Sequence, residues 1–148
     1  MGGIASVRNE MIDYIINSKL GGLKDTDITV SGVIGDLSDI PESDLVSLFG
    51  NILDNAAEAV EKADEKRIEL RFSMHGENRI FVCKNTCPES LYDRAGILET
   101  TKKDKESHGI GHIIVEETVN RLGGMVDYSM ENGIFEVRMI LPRGTGGK

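Results

Sequence analysis

The sequence has no surplus of basic charge: 17 Lys and Arg stand against 25 Asp and Glu, giving a net charge of −8 and a pI near 4.9. Nucleic acid is held largely by cationic surface that displaces condensed counterions. With no such face, a nucleic-acid partner is not expected. Long apolar runs are missing too. None approaches the ~18–20 residues that span a bilayer, and the N-terminus lacks the basic-then-apolar order of a secretory signal. Cysteine is scarce, with Cys83 and Cys87 as the whole supply. They stand too close together on a segment that reads as extended for good disulfide geometry. No ligand-type His lies near enough to complete a zinc site. Reduced, buried thiols in a cytoplasmic protein are the expectation.

What is present suits one globular domain: 148 residues, 39% hydrophobic and 28% charged, enough to bury a core. Ile4, Val7, Met11 and Ile15 recur at helical spacing and stop at Gly21-Gly22, an expected C-cap. Ile28, Val30 and Ile34 read as a strand. "DIPES" offers Asp39 or Ser43 as the cap of a second helix running from about Asp44 to Ala63. "KRIELRFSM" and "RIFVCK" alternate around the turn "HGEN", predicting a hairpin. No period is sustained from Asn85 to His108, and a connection that long inside a domain is usually functional or mobile. "GHIIVEETVNRLGG" predicts a third helix with Ile114, Val115, Thr118, Val119 and Leu122 inward. Asn132-Gly133 predicts a closing hairpin. The order implies an α/β (α+β) fold: a two-layer sandwich in which a mixed, mostly antiparallel sheet carries helices on one face.

The second helix holds the first chemical signal. Leu45, Leu48, Phe49, Ile52, Leu53, Ala56 and Val60 share one broad face at 100° per residue. Asn51, Asn55 and Glu58 form a narrow stripe on its shoulder, although Asn disfavours helix interiors. An Asn oxygen is a neutral, hard ligand suited to Mg²⁺. Taken alone, the stripe fits ordinary surface amides better than a ligand site. Gly109 and Gly111 before the third helix allow close backbone approach, and a helix start attracts phosphate. Thr100, Thr101, Lys102, Lys103 and Lys105 precede them as phosphate contacts, or as a solvated loop. The terminal "RGTGGK" lacks the spacing and following helix of a phosphate-binding P-loop.

In this order, "LFGNILDNAAEAV", "VCKNTCP", "GILETTKKDKESHGIGHIIVEETVNRLGG" and "GIFEVRMILP" resemble the GHKL (Bergerat-fold) ATP-binding domain, from about Asn9 to Pro142. More narrowly, they resemble the catalytic domain of sensor histidine kinases of the peptide-quorum-sensing branch. The resemblance implies ATP and Mg²⁺ as cofactors. It puts Asn55 at the magnesium position and Asn85 where the family commonly has an Asp on the adenine amino group. Thr101, Lys102, Gly109 and Gly111 fall to the nucleotide lid and phosphates, with residues 91–107 ordering when Mg-ATP binds. Asn51 takes the catalytic position at which hydrolysing relatives such as gyrase-type ATPases carry a Glu base. His112 stands where the family often has Leu.

The resemblance further reads residues 1–22 as an N-terminal helix at the tail of a dimerisation region, 23–143 as the catalytic domain, and 144–148 as a tail. The γ-phosphoryl would pass to a His on a separate dimerisation and phosphoacceptor domain, and from there to a response regulator. The chain is expected to be a monomeric catalytic fragment of a cytoplasmic kinase region. The alternative is a GHKL module that binds nucleotide and a partner without phosphoryl transfer.

Overall fold

Asn9 starts the first helix by accepting the Ile12 N–H on its side-chain oxygen at 3.1 Å, which satisfies a donor that has no partner within the helix. This is the fold of a computed structural model that describes residues 9–88 and 113–143. Helix α1, Glu10–Leu20, buries Ile12, Ile15, Ile16 and Leu20. The expected inward residues Ile4 and Val7 lie outside the described residues. Gly21 closes α1 in ordinary right-handed geometry, φ −65°.

Strand β1, Asp27–Gly32, leads through α2, Glu42–Glu61, to β2, Arg67–His75. β1 and β2 pair in parallel, so α2 is the crossover that a parallel pair requires. Every apolar residue assigned to the inward face of α2 is buried. The start of α2 differs from expectation. Pro41 stands at the N-cap with no side-chain cap bond, while Asp39 is engaged with Arg79. A buried guanidinium needs its counter-charge more than a helix end open to water needs a side-chain cap.

β2 and β3, Asn78–Thr86, form the expected antiparallel hairpin. Residues 113–121 are helical, here α3, and bury Val115, Thr118 and Val119. Gly123, at φ 79°, ends α3, and the Gly124 N–H donates to the Val119 carbonyl at 2.9 Å. That is the Schellman bond across a left-handed glycine. β4, Met125–Glu131, and β5, Ile134–Pro142, meet at Asn132-Gly133. Both turn residues have positive φ, 54° and 76°, as a type I′ turn demands.

The sheet order is β1-β2-β3-β5-β4, antiparallel except at β1, so the predicted mixed sheet is correct. Ile68, Leu70 and Phe72 of β2, Phe81 and Cys83 of β3, and Phe135, Val137, Met139 and Leu141 of β5 share one core with the buried residues of all three helices. Residues between them in sequence, such as Arg67, Glu69, Arg71, Lys84, Glu136 and Arg138, point the other way by the period of two. Phe49 of α2 rests on the paired rings of Phe72 and Phe81, with centroids 6.2 and 4.8 Å away. Cys83 and Cys87 are free and buried, and burial pushes the Cys83 thiol up to about 12.

Candidate functional site

The direction of α2 over the sheet sets where its asparagines lie. Phe49 fixes the first half of α2 above Phe81, and after a five-residue connection from Glu61 the chain enters β2 beside the end of β3, where Ile68 faces Asn85. Lys66 seals that corner by donating its ammonium to the carbonyls of Val60, Glu61 and Ala63. α2 therefore runs parallel to β3. At ~1.5 Å per helical residue and ~3.3 Å per strand residue, Asn85 lies level with about Glu58. Asn55 and Asn85 thus belong to the same end of the sandwich.

α3 runs the opposite way. It feeds β4, whose Met125 pairs with Ile140 near the far end of the sheet, where Pro142 faces Asn78. Arg121 in its last turn grips Asp44 in the first turn of α2 with two bonds, 2.9 and 3.0 Å. Counting back along α3, residue 113 comes level with about Ile52 at ~1.5 Å per residue. The two helices are thereby joined by an ion pair at one end, and Asn55, Glu58 and Asn85 lie toward the other end of α2.

Asn55 is half-buried, and no described residue hydrogen-bonds its side chain. Asn85 is only 2% exposed. Its position, two residues past Cys83, puts it on the helix-covered face. Its amide N–H donates to the Thr86 carbonyl at 3.1 Å, leaving its oxygen with no partner among the described residues. Buried acceptors are normally satisfied, so this oxygen is suited to a donor brought by a ligand. Thr86 ties the strand end down, its hydroxyl accepting the Arg67 N–H at 3.0 Å.

Asn51 is placed differently. Its amide donates back to the Ser47 carbonyl at 2.6 Å, and it lines a groove of about 430 Å³ between α1 and α2, with Tyr14, Lys19 and Asp54. Thr101, Lys102, Gly109, Gly111, His108, His112 and the expected lid at 91–107 lie outside the described residues. A second cavity, about 410 Å³, opens beyond the strand ends near Thr86, Cys87 and Gly133, with Lys62 at the end of α2 in its lining. Among the described residues no cluster of His, Cys, Asp and Glu could hold a metal. A magnesium bound here would depend on the Asn55 amide, water and the ligand's own oxygens.

The Asp44–Arg121 pair escaped sequence reasoning, although a signal existed. Asp44, Asn51 and Glu58 are spaced by sevens, which puts Asp44 on the same stripe. The hydrogen bonds from Arg121 hold the Asp44 carboxyl below the usual carboxylate range. A depressed native value contributes stability that is complete above about pH 4 and lost as pH falls through it.

Comparison with known proteins agrees with this geometry. The sequence model of the GHKL domain family matches residues 41–142. The chain is 36% identical over 103 residues to the sensor histidine kinase DpiB of Escherichia coli K12, covering 61% of this chain and 18% of DpiB. It is 30% identical over 116 residues to the sensor histidine kinase NatK of Bacillus subtilis 168, covering 72% of this chain and 36% of NatK. The chain therefore spans well under half of either relative. The catalytic domain of the histidine kinase ThkA shares the fold with a TM-score of 0.68 at 16% identity, over 92% of this chain and 94% of that one. The mycobacterial sensor histidine kinase MprB does so with a TM-score of 0.64 at 20% identity, over 92% and 96%.

Proposed function

Because the chain belongs to the GHKL domain family, we propose that it is the ATP-binding catalytic domain of a two-component sensor histidine kinase. In this reading it passes the γ-phosphoryl of ATP to a His on a dimerisation and phosphoacceptor domain. A response regulator then receives the group from that domain. The observation that carries the proposal is the pair of unsatisfied amides, Asn55 half-buried and Asn85 buried; the nucleotide cleft is proposed to open beside them, between α2 and α3.

Each amide suits a part of Mg-ATP. The free Asn85 oxygen would accept from the exocyclic amino group of adenine, a donor that a 6-oxo purine lacks there. The Asn55 oxygen is a neutral ligand of the kind Mg²⁺ takes alongside water and phosphate. Bound magnesium would supply positive charge across the phosphates. Thr101, Lys102, Gly109 and Gly111 are proposed for the phosphate side, with the glycine N–H groups as donors. Asn51 at the catalytic position cannot take a proton at neutral pH, so the chain is poorly equipped to activate water. That favours transfer to a nucleophile delivered by another domain. Residues 23–143 are proposed as the nucleotide-binding body, and α1 as its link to the dimerisation region. The isolated body is proposed to be monomeric and to work on the cytoplasmic side; among the described residues no helix is long and apolar enough to cross a membrane.

Phosphotransfer tests the proposal. With labelled ATP, the chain alone should acquire no phosphohistidine, and an added dimerisation hairpin bearing the acceptor His should become labelled. Stable label on His75, His108 or His112 of the isolated chain would overturn it, as would ATP turnover that leaves the hairpin unlabelled.

A further inference from the structure

We propose that Asp44 and Arg121 are positioning residues that set the spacing between α2 and α3, and through it the affinity of the cleft for Mg-ATP. The inference rests on the nucleotide reading above and adds to it a part of the chain that touches no ligand. The two side chains are 77 residues apart in sequence and make two bonds of 2.9 and 3.0 Å. The bidentate form fixes the orientation of the helices as well as their distance. Asp44 is nearly buried, its side chain 12% exposed, while the Arg121 side chain is 59% exposed. Each charge also suits its own helix: an anion in the first turn of α2 and a cation in the last turn of α3 complement the helix dipoles.

The consequence comes from leverage. Asn55 lies eleven residues along α2 from Asp44, roughly 16 Å at the helical rise. Between α2 and residues 113–121, which reach the level of about Ile52, no other hydrogen bond or ion pair is seen among the described residues. A small change of angle at the clasp therefore becomes a larger change of gap at the Asn55 end. Magnesium and phosphate contacts tolerate little displacement, since a misplacement of about 1 Å can cost two orders of magnitude where geometry matters.

The test uses the whole chain and two independent readings. Spin labels on the exposed positions Glu61 and Glu117 report the α2–α3 distance without nucleotide, and calorimetry reports the Mg-ATP affinity. Arg121→Gln and Asp44→Asn should each broaden the distance distribution. Each should also weaken Mg-ATP binding on the order of fivefold, the lower end of coupling between separate sites. The double variant should be no worse than either single, and Asp44→Arg with Arg121→Asp should move both readings back toward the parent. Unchanged distances with unchanged affinity would overturn the clasp, and so would a fall in melting temperature with both readings intact. If the parent chain binds no nucleotide, the nucleotide reading fails, and the distance measurement alone still decides whether the clasp sets the gap.

Discussion

Asn55→Ala is expected to remove most of the magnesium dependence of ATP binding while leaving the domain at least as stable as before. The two effects part because Asn55 is half-buried on α2 with no hydrogen bond to any described residue. Its removal breaks nothing in the free protein, and Ala gains up to about 0.7 kcal/mol of helix propensity over a residue such as Asn. In the complex the same change would take away the oxygen proposed as the magnesium ligand. The affinity measured with Mg²⁺ should fall at least about 10-fold, the lower end of what is lost when a group supporting a metal site is removed. Asn120→Ala, on an exposed position of α3, should gain similar helix propensity and leave the affinity unchanged. Equal losses from the two variants would refute the role given to Asn55. A residue that costs stability when present and affinity when absent marks a site kept for binding.

The largest effect on stability should come from Arg79→Met. Arg79 is 3% exposed, and all five of its N–H donors are used: two on Asp39 at 2.7 and 2.8 Å, and one each on the carbonyls of Asp36, Leu141 and Pro142. It fastens the segment before α2 to the ends of β3 and β5. Its loss leaves a carboxylate and three carbonyls without their donor, which typically costs about 3–5 kcal/mol. Because the Asp39 side chain is 22% exposed and can be partly rehydrated, the lower end, near 3 kcal/mol, is expected. A urea unfolding curve measures it. Adding Asp39→Leu should recover part of the loss, since an apolar pair no longer buries the charge that Arg79 balanced. A loss under about 1 kcal/mol would mean that the cluster is solvated and contributes little.

Local pattern carried most of the fold. The inward face of α2, the two hairpins and the Asn132-Gly133 turn were legible because each depends on residues within a turn or a strand pair of one another. Partnerships across the chain were not. Asp39 reads as a helix cap beside "DIPES", and only Arg79, forty residues on, takes it away. Asp44 reads as a first-turn acid, and Arg121 makes it a clasp. In the site, the stripe of Asn51, Asn55 and Glu58 was visible from helical spacing. Its division was not: Asn51 spends its amide on Ser47 and borders α1, while Asn55 is left unpaired. The spare oxygen of Asn85 depends on its bond to the next carbonyl, and no residue pattern encodes which end of an amide is satisfied.

The central claim is that this chain binds ATP through magnesium in the cleft between α2 and α3. Calorimetric titration with ATP, with and without Mg²⁺, tests it most directly. Saturable one-to-one binding with Mg²⁺ is expected, weakening at least about 10-fold when the metal is chelated. No saturable heat with Mg-ATP up to about 1 mM, the upper end of common substrate constants, or binding indifferent to Mg²⁺, would contradict it.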